Sequence, residues 1–199
     1  MKGFNYKKSV QALALIALSE QGVMNKMKAI KLIWLADRLH LRRYGRTITG
    51  DTYFALKLGP IASNTRDILE ASSFASDEET AYSNNFIKQE GKNYYRLIGD
   101  FNAKVFSKTD VEVLKMIIAE YGKMDQFDLS DFSHRFPEWK KWELELKRGN
   151  PSRYPMEIED FFIDPVENPK VFQEDPEMLE NIKDIFLKKH YSEDATTVD

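Results

Sequence analysis

The sequence predicts a mainly helical domain of the α+β class, with a short strand or β-hairpin element and a C-terminal helical extension. Three patterns predict it: long segments with apolar residues at helical spacing, two short strand-like segments, and a proline-containing stretch ahead of a last amphipathic segment. A chain of 199 residues fits one domain with an appendage. We place the domain at residues 5–163, and we assign residues 164–199 to a linker, an amphipathic helix and a disordered tail.

Two helices open the chain. Apolar residues recur at helical spacing over residues 6–20, and Gly22 is a suitable stop. Asn25 is a suitable N-cap for a second helix, which we expect to run to about Tyr44, before Gly45. Apolar residues cover more than one face of this second helix, which predicts a central position in the core.

A short strand follows the second helix. Residues 52–58 alternate between two faces, which predicts a strand that Gly59 and Pro60 end. Because proline suits the first turn of a helix, we expect Pro60 to begin one that extends to about Ala71. The polar stretch 72–85 is predicted to be a loop.

A hairpin and a capped helix are predicted in the middle of the chain. Short apolar segments at 86–87 and 94–97 flank Gly91, which is typical of a hairpin. Ser107 is followed three residues later by Asp110, a pattern that resembles a capping box and starts another helix.

Short helices separated by breaks are predicted after this helix. Ser130 is expected to cap one that ends before Pro137, and residues 138–146 are expected to form the next. Residues 149–155 are rich in turn formers, and 156–163 is expected to be a further short helix.

The last segment is predicted to be a helix beyond a linker. Prolines mark residues 164–175 as the linker, Asp175 and Pro176 start the helix, and residues 192–199 are expected to be disordered. The apolar side of the helix needs a cover, which its own domain, a second copy of the chain or a partner could supply. That side is formed by Met178, Leu179, Ile182, Ile185 and Phe186.

The composition is that of an ordinary globular protein without cysteine. The absence of cysteine excludes disulfides, thiolate zinc sites and cysteine nucleophiles, and it fits a cytoplasmic location. The longest apolar run, residues 10–18, is far shorter than the roughly 20 residues that cross a bilayer. The residues after it continue as a helix rather than as a cleavage site, so we expect neither a membrane span nor a signal peptide.

Charge is unevenly distributed along the chain. The net charge is −3, yet residues 151–199 hold thirteen acids and five bases, whereas the first seventy residues hold twelve bases and five acids. A basic half with an acidic tail indicates either an anionic partner or neutralisation by the chain's own tail. The sequence leaves both interpretations open.

One stretch resembles a known family. The residues KLIWLADRLHLRRYGRTITGDTYFALKLGP, at 31–60, look like the signature of the Panacea domain, the SocA-like antitoxin family of bacteria and phages. Later segments of the chain, FSKTDVEVLKMIIAEYG, LSDFSHRFPEWKKW and MEIEDFFI, are similar to later parts of the same family. The signature positions are Leu35, Ala36, Asp37, Gly45, Thr49, Gly50, Asp51, Tyr53, Lys57, Gly59 and Pro60.

The resemblance implies an antitoxin over residues 5–163 that neutralises a cognate protein toxin by direct binding. Different members of the family face unrelated toxins, and at least one is described as an adaptor that delivers its toxin to a protease. The resemblance therefore implies a mostly helical scaffold, a toxin as partner and, in some members, a protease as a second partner.

Three polar residues within the signature are predicted to act as structural ties. Asp37 interrupts an apolar helix face, so it is expected to be partly buried and to need Lys57, Arg66 or backbone amides near Thr49 as partners. Asp51 is expected to serve as a turn or cap residue, and Lys57 to lie inside the strand.

A row of basic residues is the first candidate for partner binding. Lys31, Arg38 and Arg42 share one side of the helix over residues 25–44. Three interpretations are open: a solvated face, a patch for an acidic toxin surface, or a nucleic-acid-binding regulator that uses this helix. The last is the alternative function, which the negative net charge and the absence of a recognition module disfavour.

An aromatic stripe is the second candidate. Trp139 and Trp142 are three residues apart, and Phe136 precedes Trp139 by three. Such a stripe indicates either core packing or the aromatic anchors that are favoured at protein interfaces.

No pattern of an enzyme or of a bound cofactor is present in the sequence. The three histidines His40, His134 and His190 are far apart and lack metal-ligand spacing, and no nucleotide-binding glycine motif occurs. Ser63 and Ser133 lack the flanking glycines of a hydrolase nucleophile. We therefore expect a protein without catalytic residues, metal or cofactor.

Overall fold

The computed structural model describes residues 3–149 and 152–195, with side chains through residue 190. The α-helices of this part are α1 (Tyr6–Ser19), α2 (Lys26–Tyr44), α3 (Ser63–Leu69), α4 (Asp77–Asn84), α5 (Lys108–Tyr121), α6 (Gln126–Ser133), α7 (Pro137–Lys140), α8 (Glu143–Arg148) and α9 (Pro176–Ala195). The strands are β1 (Val23–Asn25), β2 (Tyr53–Leu56), β3 (Gly59–Ala62), β4 (Ile87–Gln89), β5 (Tyr94–Leu97) and β6 (Arg153–Pro155). The predicted mainly helical α+β class is confirmed.

Helix α2 is the centre of the fold. Its side chains are buried from Ala29 to Arg42 almost without interruption, and α1, α5, α6, α9 and β3 pack around it. The Asn25 side chain accepts a hydrogen bond from the Lys28 amide, and Gly45 adopts a left-handed φ of 66° that ends the helix. The predicted cap, end and central position of this helix are confirmed.

Two small antiparallel sheets flank the helices, with strand orders β3-β2-β6 and β1-β5-β4. The predicted hairpin around Gly91 is the β4–β5 pair, in which Ile87 lies opposite Leu97. Besides β3, two strands were not predicted, because β1 and β6 are only three residues long, which is too short for a periodic pattern. They become strands by pairing with β5 and β2, respectively.

The structure corrects the region around Gly59 and Pro60. These residues do not start a helix but begin β3, which pairs with β2 so that Pro60 lies opposite Ala55. Because β3 is an edge strand, it tolerates a proline that donates no hydrogen bond. The predicted alternation in β2 is present, with Tyr53 and Ala55 on the buried side, and α3 starts only at Ser63.

The predicted loop at 72–85 is also wrong, since it contains α4. Ser76 and Glu79 form a complete capping box at the start of this helix. The capping-box pattern is visible in the sequence, but apolar residues recur too weakly at helical spacing in this segment to predict a helix.

The short helices after α5 differ from the prediction in their boundaries or type. Asp125, not Ser130, caps α6, and Ser130 lies inside that helix. The single helix predicted for 138–146 is two short ones, α7 and α8. The short helix predicted for 156–163 is a 3-10 helix over Ile158–Phe162. The capping box of Ser107 and Asp110 at the start of α5 is confirmed.

The segment predicted to be a linker and an appended helix packs on the domain. Phe172 is fully buried against Phe136, with ring centroids 5.4 Å apart, and Phe186 of α9 packs on Phe162 at 5.6 Å. The predicted boundary between 163 and 164 is therefore not a break in the core. The predicted disorder of 192–199 is wrong for the backbone up to Ala195, and residues 196–199 lie outside the described residues.

In the part of the chain that the structure describes, no helix combines the length and the apolar character needed to cross a bilayer.

Candidate functional site

The Asp37 carboxylate connects α2 to the loop before β2. The amides of Ile48 and Thr49 donate to its Oδ1 across 2.6 and 2.9 Å. The hydroxyls of Thr49 and Tyr53 donate to its Oδ2 across 2.5 and 2.8 Å. Burial raises the pKa of Asp37, and these four hydrogen bonds oppose the rise. Asp37 thus connects α2 to the backbone near Thr49 and to Tyr53 of β2.

Asp51 makes a second tie, from the start of β2 to α3. Its Oδ1 accepts hydrogen bonds from the amides of Thr52 and Asn64, and its Oδ2 accepts from the amide and the hydroxyl of Thr65. Thr65 Oγ1 also lies 2.7 Å from Ser9 Oγ of α1, so the tie reaches a third element. Burial raises the pKa of Asp51 to about 7, although the bonds from Thr65 and Asn64 lower it.

Lys57 is not a structural tie. It is exposed in the two-residue turn between β2 and β3, rather than inside a strand. The prediction failed because residues 57 and 58 continue the alternation of the strand, while the hairpin geometry turns the chain at that point.

The basic row of α2 lies in the interior, which corrects its prediction as a surface. Lys31, Arg38 and Arg42 do share one side of the helix, but each is at most 1% exposed. That side faces α6, the 3-10 helix before Ile163 and the segment that follows it, rather than solvent. The three residues therefore offer no surface to a toxin or to nucleic acid.

Lys31 is a buried ammonium without a carboxylate within 4 Å among the described residues. Its Nζ donates to the Pro60 carbonyl at 3.3 Å and to Ser133 Oγ at 3.5 Å. Burial lowers the pKa of Lys31 to about 7. A Cβ added at Gly59 would lie 2.4 Å from Lys31 Nζ and 2.3 Å from Ser133 Oγ, so this glycine leaves room for the lysine.

Arg38 is paired inside the protein. Its Nε donates to Glu138 Oε1 across 2.9 Å, and its Nη2 donates to the Ile163 carbonyl across 2.6 Å. The guanidinium also lies 4.7 Å from the Phe136 ring centroid and 5.0 Å from that of Phe172. Arg38 of the basic row thus connects the central helix to α7 and to the C-terminal segment.

Arg42 and Arg43 bind the acidic tail. Arg42 donates to Glu174 across 2.8 Å and to Asp164 across 2.6 Å, and Arg43 donates to Glu174 across 3.2 Å. Arg42 also donates to the carbonyls of Phe161 and Phe172. The uneven charge had two interpretations, an anionic partner or neutralisation by the chain's own tail. At these residues the tail neutralises the basic helix.

The two tryptophans belong mainly to the packing of the domain. Trp139 is buried, donates to the Leu56 carbonyl across 2.7 Å and stacks on His134. Trp142 is half-buried and stacks on Tyr154 of β6, with ring centroids 4.7 Å apart. Of the two interpretations of the stripe, core packing accounts for the position of Trp139.

A polar centre that sequence reasoning missed surrounds Asp110. Burial disfavours its ionised form, but hydrogen bonds from His40, Lys8, the Ser107 amide and Arg46 outweigh burial and hold the pKa of Asp110 well below its usual value. Lys8 and Arg46 approach it to 2.6 and 2.7 Å. The capping box revealed Asp110 only as a helix cap, because its other partners are remote in sequence.

Metal ligation has no geometric basis in the described ranges. Nowhere in residues 3–149 and 152–190 do three histidine, aspartate or glutamate side chains come together as a metal site would require.

Exposed apolar side chains remain on the turn between β2 and β3 and on α6. Leu58 is 53% exposed and Phe127 is 60% exposed. Ser130 Oγ donates to the Leu58 carbonyl across 2.8 Å, and Phe127 lies three residues before Ser130 on the same helix. Ser130 thus connects the turn to α6, and we call the exposed side chains of Leu58 and Phe127 the α6 patch.

The protein is a mainly helical scaffold. Asp37 and Asp51, the carboxylates of the signature, accept hydrogen bonds in its interior and hold its elements together. A model of the antitoxin SocA-like family, the Panacea domain, matches residues 30–140, more than half of the chain, and the chain belongs to this family. This membership assigns it an antitoxin role in general terms. No curated protein and no solved structure matches the chain.

Proposed function

We propose that this protein neutralises a cognate protein toxin by binding it directly, without catalysing a reaction. The family match over residues 30–140 carries the proposal, because the family is one of antitoxins. The internal ties of Asp37 and Asp51 support it. Because the signature carboxylates stabilise the interior of the scaffold, we expect residues on its surface to recognise the toxin.

The α6 patch is the surface that we propose for the toxin. Leu58 and Phe127 are large and apolar, yet they are more than half exposed. Large apolar and aromatic side chains dominate the centres of protein interfaces. Lys57 lies beside Leu58 in the same turn and is exposed, so it adds a cation at the edge of the patch.

Co-expression tests direct neutralisation. We expect a gene next to this one to encode a protein that arrests growth alone. Expression of this chain together with it should restore growth, and the two proteins should co-purify. Continued arrest without a complex would contradict the proposal.

Two variants test the patch. Leu58→Glu with Phe127→Glu should weaken toxin binding by at least about tenfold, which corresponds to about 1.4 kcal/mol. The matched control is Phe74→Glu with Ile98→Glu, which introduces the same two charges at side chains that are 82% and 52% exposed and lie outside the patch. Circular dichroism should show all variants folded. If the patch variant binds as tightly as the unmodified chain, the toxin uses another surface, although direct binding still stands.

The fate of the toxin separates two modes of neutralisation. If this chain occludes the toxin, the amount of toxin stays constant on co-expression while its activity falls. If this chain acts as an adaptor for a protease, the toxin half-life shortens and lengthens again in a protease-deficient strain. Light scattering of the purified chain and of the complex gives the stoichiometry, including any self-association.

A further inference from the structure

The sheet β3-β2-β6 has one face in the core and one face that is only half-buried. Tyr53 and Ala55 of β2 point to the core and are at most 3% exposed. Because side chains alternate along a strand, Phe54 and Leu56 point to the opposite face, where both are half-buried. Among the described residues, neither belongs to the apolar side chains that form the core or pack on it. We call this side of the sheet, with Phe54 and Leu56 at its centre, the β2 face.

Strand pairing places a cation on the β2 face. Arg153 of β6 lies opposite Leu56, and residues opposite each other in an antiparallel pair share a face of the sheet. The guanidinium of Arg153 accordingly lies 4.7 Å from the centroid of the Phe54 ring. A guanidinium that stacks on a ring keeps the N–H donors at its edge available. Since Arg153 is exposed, these donors are open to a partner.

A second cation lies at the end of the β2 face. Lys57 is exposed in the turn that directly follows Leu56. Within the described ranges, neither Lys57 nor Arg153 has a carboxylate within 4 Å, and the exposed acids of α6, Asp128 and Asp131, pair with neither of them. The β2 face thus combines an apolar centre with two cations that the chain does not neutralise.

We propose that the β2 face extends the toxin surface and receives an acidic, amphipathic segment of the toxin. Apolar side chains of this segment cover Phe54 and Leu56. Its carboxylates contact Lys57 and Arg153, since interfaces place opposite charges against each other around an apolar centre. This inference rests on the proposed function and adds the chemistry of the partner.

The position of the β2 face supports a shared partner. Leu58 of the α6 patch directly follows Lys57, so the patch and the β2 face meet at the turn between β2 and β3. A second copy of the chain is a poorer occupant. Two copies that used the same face would bring like charges together, which is unfavourable across an interface.

Charge reversal tests the cationic part. The binding of the intact chain to the purified toxin is measured by surface plasmon resonance. Lys57→Glu with Arg153→Glu should weaken binding by at least about tenfold, mainly through slower association, because charges at the rim of an interface act mostly on the association rate. Added sodium chloride should slow association of the unmodified chain more than that of this variant.

A matched control separates a local contact from the overall charge. Lys115→Glu with Lys123→Glu makes the same change in net charge at two exposed lysines on α5 and in the loop after it, outside the β2 face. This control should change binding by less than about twofold, because salt screens distant exposed charges. Circular dichroism should show both double variants folded.

The apolar part has its own variant. Phe54→Ala removes the ring beneath Arg153 and should weaken binding by at least about fivefold, as for a residue near the centre of an interface. Tyr94→Ala removes a half-exposed ring from the other sheet and should have little effect on binding.

Exchange of charges between the partners identifies the acidic side. Single aspartates and glutamates of the toxin are replaced by lysine, and growth is measured on co-expression. At least one toxin variant should escape the unmodified chain and be neutralised by the chain with Lys57→Glu and Arg153→Glu.

Three results would overturn this inference and leave direct neutralisation intact. The charge-reversed chain binds the toxin as tightly as the unmodified chain, while the α6 patch variant loses binding. The charge-reversed chain and its lysine control lose binding equally, which indicates diffuse attraction. The charge-reversed chain binds more tightly, which assigns a basic segment to the toxin. Absence of any complex with the unmodified chain would instead overturn the proposed function, and this inference with it.

Discussion

Arg38 and Glu138 form an ion pair inside the protein, with Nε and Oε1 2.9 Å apart and both side chains wholly buried. The pair is incompletely satisfied, since Arg38 Nη1 and Glu138 Oε2 have no hydrogen-bond partner among the described residues. Burial raises the pKa of Glu138, and the charge of Arg38 opposes the rise. The pair connects the central helix to α7, one hundred residues later.

Breaking this pair from one side should be costly. Glu138→Leu leaves the guanidinium buried without its carboxylate, and we expect it to lower the free energy of unfolding by about 3–5 kcal/mol. Arg38→Met with Glu138→Leu should recover most of that loss, because no charge remains buried. Urea denaturation measures both. The control, Lys147→Ala, removes an exposed pair with Glu143 and should leave the stability unchanged. A double variant as unstable as the single one would contradict this account.

The bond between Tyr53 and Asp37 should contribute to stability. Tyr53→Phe removes one of the four hydrogen bonds to the carboxylate and keeps the packing of the ring on Phe161. We expect a loss of about 1.5–3 kcal/mol, as for other hydrogen bonds to charged groups. Tyr94→Phe removes a hydroxyl from a half-exposed ring and should have little effect. Equal effects of the two variants in chemical denaturation would show that the bond to Asp37 contributes little.

Asp51 should make the protein less stable as the pH rises from about 4 to about 7. Its pKa is raised from 3.8 to about 7 by burial, so in this range the folded state keeps a proton that the unfolded state has released. The stability that Asp51 contributes is therefore complete below pH 4 and is lost by pH 7. Over this range the free energy of unfolding falls by up to about 1.4 kcal/mol per pH unit. Asp51→Asn should be less stable at pH 4, and its slope over this range should be smaller. An unchanged slope would exclude Asp51 as the source.

Lys31 should produce the opposite slope above pH 7. Burial lowers its pKa from 10.5 to about 7, so between these values the unfolded state holds the proton that the folded state lacks. Stability due to this group thus rises with pH from about 7 to about 10. Lys31→Met removes the buried cation and should stabilise the protein most below pH 7, where the ammonium is charged. A gain that is equal at pH 6 and pH 9 would contradict the titration of Lys31.

The contacts of Arg42 and Arg43 should hold the segment at 164–175 against α2. Glu174→Gln weakens two ion pairs at once, and we expect faster amide hydrogen exchange in this segment, with α5 unchanged. The control is Glu167→Gln in the same segment, whose pair with Arg135 is exposed at both side chains. If exchange in the segment is equal in both variants, Phe172 and its neighbours hold the segment without the ion pairs.

Local patterns in the sequence accounted for features that depend on near neighbours. The two ends of α2, at Asn25 and Gly45, and the start of α5, at the Ser107 capping box, were predicted correctly. Each of these signals lies within a few residues of the backbone groups that it satisfies. Asp37 was predicted from its place on an apolar face to be partly buried, with Lys57, Arg66 or the backbone near Thr49 as partners, and the structure shows the last of these. The same reasoning failed for Pro60, whose role depends on β2 as its pairing partner.

The sequence by itself determined the class of fold, the family and the helix that forms the centre of the core. Only the tertiary structure decided that Lys31, Arg38 and Arg42 are buried and that the acidic tail neutralises part of this helix. It also decided that Arg153 lies on the β2 face. The physical reason is that periodicity shows which residues share a side of a helix, whereas burial depends on what packs on that side. For Arg38 and Arg42 the partners lie about 100 to 130 residues away in the chain.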